Sequence, residues 1–277
     1  MALSGAPGLA SRQDGSLYRR GVSGEERVVD VAVEGGVATI TMDSPANRNA
    51  LSTRLVAELT DALDAVEAGV ADGAVRAIVL THTPPAFCAG ADLKERRTGP
   101  PDSRPFVSVL TRLMDADVPT IAVVRGPARA GGIGLMAACD LVVVDRSITF
   151  ALTEVRIGVA AAIISVPILR RTNGSRLAAA FLTGEPFTAT YAADVGLVTH
   201  AVDADQVDAT VAALCDGIRA GAPRAVAVTK RVLREVPGLA AGEAFDRMRA
   251  LSDKLFAGPD AAEGMSAFAE KRPPRWL

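Results

Sequence analysis

The chain has 277 residues, enough for one large domain or a domain with a helical extension. Hydrophobic residues make up 49% and charged residues 22%, and the formal net charge of −2 gives no bulk attraction to nucleic acid or to an anionic membrane. Aromatics, at 4%, are too few for a base-stacking platform, and no apolar run approaches the ~20 residues that span a bilayer.

Residues 1–24 are small, polar and Arg-bearing, with no apolar h-region, and read as a disordered leader. Residues 28–33 and 37–42 are short β-rich runs around Glu34-Gly35-Gly36, a hairpin signal. Ser52 caps a helical segment carrying Leu55, Leu59, Leu63 and Val66 up to Ala68. A buried-type strand over 75–81 leads into a loop over 82–91. A polar, mobile stretch over 94–102 and a helix over 106–114 come next. Strands over 120–124, 141–144 and 148–151 flank a short helix over 132–139. The strand–helix–strand alternation predicts an α/β fold with parallel strands. From Asp203 onward the pattern is helical, over 205–220, 223–234, 240–256 and 260–270. A boundary near 200 thus separates a core over 25–200 from an all-helical region over 201–277. The apolar stripes of that region must cover their own core or another subunit. Cys88, Cys139 and Cys215 are odd in number and widely spaced, which predicts neither disulfides nor zinc and makes a reducing cytoplasm the default.

Two stretches could carry chemistry through the main chain. Phe87-Cys88-Ala89-Gly90-Ala91-Asp92-Leu93-Lys94 and Gly131-Gly132-Ile133-Gly134 each place small residues just beyond a predicted strand. Backbone N–H groups there can approach a ligand unobstructed. Two such donors aimed at one point form an oxyanion hole. The plainer readings are a tight turn and a close-packed helix start. Gly132-x-Gly134-x-x-Ala137 also fits a dinucleotide fingerprint. That reading fails on the seven residues between Val124 and Gly132, on the short helix, and on the lack of an acidic residue about twenty positions on.

Glu154 follows a strand among apolar neighbours. It is either paired with Arg156 or another arginine, or poised as an acid/base with a raised pKa. Spacing alone favours the ion pair. Arg129, beside the glycine loop, reads as a salt-bridge partner, with a substrate carboxylate as the alternative. His82 and His200 are the only histidines, and HExxH, GxSxG and P-loop patterns are absent, so a metal site is not expected. Arg170-Arg171 and Lys230-Arg231 read as solvated helix faces.

Taken together, Asn47-Arg48-Asn49-Ala50-Leu51, the 87–94 stretch, Ala138-Cys139-Asp140-Leu141 and 153–158 resemble, in order, the motifs of the crotonase (enoyl-CoA hydratase/isomerase) superfamily. The tail over 263–272 resembles its C-terminal motif, and the likeness runs from about residue 28 to the end. The resemblance implies a ββα spiral core with C-terminal helices that build a homotrimer, often stacked as a hexamer. It implies an acyl-CoA substrate of fatty-acid metabolism, with no cofactor beyond the coenzyme A of the substrate. By motif match the thioester oxygen would accept from the amides of Ala89 and Gly131, with Glu154 as acid/base. Cys88, Gly90, Ala91, Asp92, Leu93, Lys94, Gly132 and Gly134 would line the substrate. Phe268 and Lys271 would touch its adenine end, commonly from a neighbouring subunit.

One departure stands out. Two-glutamate hydratases carry their first catalytic carboxylate three residues after the oxyanion glycine, where this chain has Gly134. Losing one acid or base costs about 10²–10⁴ in rate. Three readings follow. The first is hydration with Glu154 alone, supported by a finer likeness to bacterial single-glutamate hydratases of 3-methylglutaconyl type over 131–135 and 163–167. The second is double-bond migration, for which one carboxylate suffices. The third is acyl-CoA binding with little turnover.

Overall fold

The computed structural model describes residues 27–95 and 102–277, together with two two-residue strands, β1 (Ala10–Ser11) and β2 (Leu17–Tyr18), paired antiparallel. Apart from those strands, the leader expected over 1–24 lies outside the described residues, as does most of the mobile stretch expected over 94–102.

The main sheet has six strands in the order β11-β8-β6-β5-β4-β3. The predicted hairpin is present as β3 (Val29–Glu34) and β4 (Val37–Met42), antiparallel. The other strands, β5 (Ala77–His82), β6 (Thr120–Val124), β8 (Leu141–Asp145) and β11 (His200–Val202), join it in parallel. Strand residues alternate between two apolar layers, because successive side chains point to opposite faces. Ile78, Leu80, Ala122, Val124, Val142 and Val144 enter the larger core under α1 (Thr53–Ala71) and α2 (Arg104–Asp115), while Val79, Ile121, Val123 and Val143 face α7 (Val207–Ala220). Burial on both faces suits parallel strands rich in β-branched residues. The expected cap of α1 is present, with Ser52 Oγ accepting the Leu55 N–H at 3.1 Å.

A second sheet of three strands has the order β10-β9-β7 and contains β7 (Ala128–Arg129), β9 (Thr149–Ala151) and β10 (Phe187–Thr188). Lone bridges extend it, Cys88 to Ala128 and Leu51 to Ala91. Each turn of the chain thus sends one segment to each sheet: β5 then 88–91, β6 then β7, β8 then β9. This is the expected ββα spiral, with α2, α3 (Gly131–Ala137) and α4 (Ala162–Arg171) closing the turns.

The structure adds α4, α5 (Gly174–Thr183) and α6 (Ala189–Asp194), which sequence pattern leaves undivided; Pro167 lies inside α4 and masks its period. Packing runs across the expected boundary at 200. Val207 and Cys215 of α7 belong to the core, and Lys230 of α8 (Pro223–Glu235) is buried in an ion pair with Asp140 at 2.7 Å. Its ammonium also donates to the carbonyls of Leu113 and Val118, so it is no solvated face. Arg171 likewise turns inward, donating to the carbonyls of Cys139, Asp140 and Leu197. Among the described α-helices only α9 (Ala241–Phe256) buries no residue, and α10 (Pro259–Glu270) packs on it. Among the described residues no helix is long and apolar enough to cross a membrane.

Candidate active site

The loops after β5 and β6 leave the carboxyl ends of adjacent parallel strands, where α/β sheets place their ligands. The first loop is held from behind by residues 47–51. Arg48 and Asn49 have φ of 58° and 53°, an unusual left-handed pair. Asn49, fully buried, holds that conformation: its Oδ1 accepts the Ser44 N–H at 2.7 Å, and its Nδ2 donates to the carbonyls of Thr83 and Ala86. The Asn-Arg-Asn motif is therefore a buttress for the loop.

That buttress corrects one expectation. Ala89 N–H donates to the Arg48 carbonyl at 3.0 Å and is not available to a ligand. Three residues after Arg48, Leu51 N–H donates to the Gly90 carbonyl at 2.8 Å and Leu51 O accepts the Asp92 N–H at 3.5 Å. In a parallel bridge of this pattern the residue between, Ala91, turns its own N–H away from the partner strand. Gly90, at φ 88°, makes the reversal, and a Cβ there would stand 2.9 Å from Ala130 Cβ. Among the described residues no acceptor meets the amide of Ala91, nor those of Gly131 and Gly132 at the start of α3. The loops touch: the Cβ position of Gly131 lies 3.9 Å from Gly90 Cα, and that of Gly90 lies 3.6 Å from Gly131 N.

Cys88 also departs from its expected role. It is fully buried, its Cβ lies 2.7 Å from the Cβ position of Gly132, and its Sγ accepts the Gly90 N–H at 3.4 Å. Burial pushes its thiol up to about 12, so it packs the two loops together as a neutral group and does not reach a substrate. Asp92, Leu93 and Lys94 stand on the open side of the loop, and Asp92 Oδ1 accepts the Lys94 N–H at 2.9 Å. Phe268, 88% exposed on α10, and Lys271, its exposed cap, are not brought to the loops by this chain alone.

β9 leads to Glu154 from a contact with the second loop. Ala151 O accepts the N–H of Ala130 at 3.0 Å, immediately before Gly131, and a 3₁₀ turn over Thr153–Ile157 follows. The ion pair that spacing favours is not made: Arg156 pairs with Glu185 and donates to the Thr183 carbonyl. Glu154 Oε2 is buried and has no hydrogen-bond partner among the described residues. Burial raises its pKa, offset in part by a hydrogen bond from its own backbone amide. A half-buried, unpaired carboxyl of this kind is an acid/base candidate.

Gly134 is bare for a reason outside α3. A Cβ there would stand 2.3 Å from Ile164 Cγ2, 2.6 Å from Ile164 Cβ and 3.3 Å from Ile164 Cα. The place is filled by α4, so a carboxylate cannot simply be restored at 134. Arg129 meets no carboxylate among the described residues; it donates to Thr149 O and Oγ1 and to the Ala128 carbonyl, tying β7 to β9. His82 is also structural, its Nε2 accepting the Arg125 N–H at 3.1 Å. Sequence reasoning passes over Leu51, Phe106 and Ile164 as site residues; each meets the Cβ position of Gly131 or Gly134.

Comparison with known proteins agrees with this frame. The family described as enoyl-CoA hydratase/isomerase matches residues 32–277. The chain is 35% identical to the enoyl-CoA hydratase EchA19 of Mycobacterium tuberculosis, over 89% of this chain and 96% of that one. It is 34% identical to the mevalonyl-coenzyme A hydratase sidH of Aspergillus fumigatus, over 87% and 91%. The crystal structure of an enoyl-CoA hydratase of Mycobacterium smegmatis superposes with a TM-score of 0.84 at 31% identity, covering 91% of this chain and 99% of that one.

Proposed function

The chain belongs to the enoyl-CoA hydratase/isomerase family, and from that premise we propose that it hydrates an α,β-unsaturated acyl-CoA thioester with one glutamate. The observation that carries the reading is a buried carboxyl oxygen of Glu154 that no described residue engages, together with two touching loops whose amides at Ala91 and Gly131 meet no acceptor among the described residues.

The thioester oxygen accepts from the amides of Ala91 and Gly131, with Ala91 taking the place expected for Ala89. Water adds to C3. The C2–C3 π pair moves through C2 onto the thioester oxygen, where each amide contributes about 2.7–4 kcal/mol. Glu154 takes the water proton and gives it to C2 as the carbonyl re-forms. Its raised pKa suits both halves of that transfer. Coenzyme A enters and leaves as part of the substrate and product, along Asp92, Leu93 and Lys94. Phe268 and Lys271 serve the adenine end of a neighbouring protomer in a homotrimer or a dimer of trimers. The absence of buried residues on α9 and the exposed rings of Phe245, Phe256 and Phe268 support that assembly.

A second reading is favoured by the apolar filling at Gly134. In double-bond migration Glu154 takes a C2 proton from a 3-enoyl thioester and returns it to C4, with a dienolate linking the two carbons.

Ultraviolet absorbance of the conjugated enoyl thioester tests both. With a 2-enoyl-CoA it falls on hydration; with a 3-enoyl-CoA it first rises on isomerisation. If neither changes while the thioester still protects against heat, the chain is a binder and the enzymatic reading is lost.

A further inference from the structure

Gly131 and Gly134 stand three residues apart, hence on one face of α3. The atoms meeting that face are hydrocarbon. Leu51 Cδ1 lies 2.5 Å and Phe106 Cζ 3.7 Å from the Cβ position of Gly131, and Ile164 Cγ2 lies 2.3 Å from that of Gly134. Ile164 is only 4% exposed and is fixed between α3 and the core. A water molecule needs two to four polar partners to stay in place, and none of these three side chains supplies one. Glu154 has such a group to offer, an oxygen that no described residue engages.

We propose that Ile164 is a specificity-determining residue: it walls the α3 face with hydrocarbon, so that reacting water is held from Glu154 alone, and it thereby sets the partition between water addition and double-bond migration. The two reactions differ in what they ask of this wall. Hydration forms a C3–O bond, and its water needs anchoring while the π pair moves to C2 and a proton reaches C2. Migration breaks C2–H and forms C4–H with the same proton on Glu154, and needs no third polar group. A hydrocarbon wall therefore handicaps the first and leaves the second untouched. The inference rests on the amide–glutamate reading of the site.

The test compares two isosteric replacements, Ile164→Val and Ile164→Thr, which differ in a methyl against a hydroxyl. For each, kcat/KM is measured for hydration of trans-2-hexenoyl-CoA and for isomerisation of trans-3-hexenoyl-CoA, and thermal melts check the fold. The hydration-to-isomerisation ratio is expected to be about tenfold higher in Ile164→Thr, as suits one added hydrogen-bond partner. A rise of threefold or more supports the proposal, and a smaller one overturns it. A merely structural role lowers both rates together and leaves the ratio where it was. Should Ile164→Thr not fold, Ile164→Ala, which opens room for water, is read against Ile164→Val by the same threshold. A wild type that turns over neither thioester removes the underlying reading and this one with it. A working wild type with an unchanged ratio removes this one only.

Discussion

One half of the proposed site is made of main chain and the other of side chains. At the start of α3, Gly131 is bare beside an amide that no described residue engages, and the matching amide of Ala91 comes from a loop held by Arg48, Asn49 and Leu51. One turn further, Gly134 is bare because Ile164 occupies the space. The same residue type thus marks an opening in one place and a filled contact in the other. The main-chain half depends on backbone direction and tolerates different side chains. The side-chain half, as proposed, is Glu154.

The sharpest way to break this division is Glu154→Gln. It keeps the shape and removes the only acid/base assigned to the site, so kcat should fall about 10²–10⁴-fold while KM stays within a few-fold. Unchanged turnover would reduce Glu154 to a packing residue. Next is the main-chain half, probed by proline, which deletes an N–H. Ala91→Pro should lower kcat about 10²–10³-fold, the cost of one oxyanion donor. Ala89→Pro should instead cost stability, about 1 kcal/mol for the bond to Arg48, with much less effect on kcat in the folded fraction. If the activity losses come out reversed, the donor is residue 89 after all.

Gly134 supplies a smaller effect. Gly134→Ala pushes a methyl into Ile164 and should destabilise by about 1–3 kcal/mol in urea unfolding. Gly134→Glu should be worse and gain no hydratase activity. Even Ile164→Ala leaves a Cβ 2.6 Å from the new one, so the double variant should not rescue it. A stable, faster Gly134→Glu enzyme would show that α3 and α4 separate readily and that the contact is incidental.

These contrasts also explain what the sequence can and cannot reveal. Strand alternation, the hairpin at Gly35-Gly36 and the Ser52 cap are local, and each is legible. Gly131 is legible for the same reason, since glycine at a helix start is a local signal. Ala91 is not, because the direction of its N–H is set by Leu51, a partner from another turn of the chain. Glu154 shows the same limit: its freedom depends on Arg156 choosing Glu185, 29 residues away, over a neighbour two residues off. Gly134 is visible as a missing carboxylate, but its cause lies on α4, a helix whose period Pro167 hides.

The smallest effect concerns the stability of the Glu154 region against pH. Burial holds its carboxyl above the usual range, so the folded protein binds that proton more tightly than the unfolded chain does. Stability therefore falls as pH rises from the unfolded value, about 4.3, through the raised folded one. At neutral pH the wild type carries this penalty in full, whereas Glu154→Gln carries none. The variant should melt slightly higher than wild type near pH 7.5, and the gap should close below about pH 4, where the carboxyl is protonated in both states. The activity of the wild type should fall on the acid side through the same raised value. A variant that melts lower than wild type at pH 7.5 would mean that the carboxylate has a stabilising partner, and the side-chain half of the site would then be a salt link.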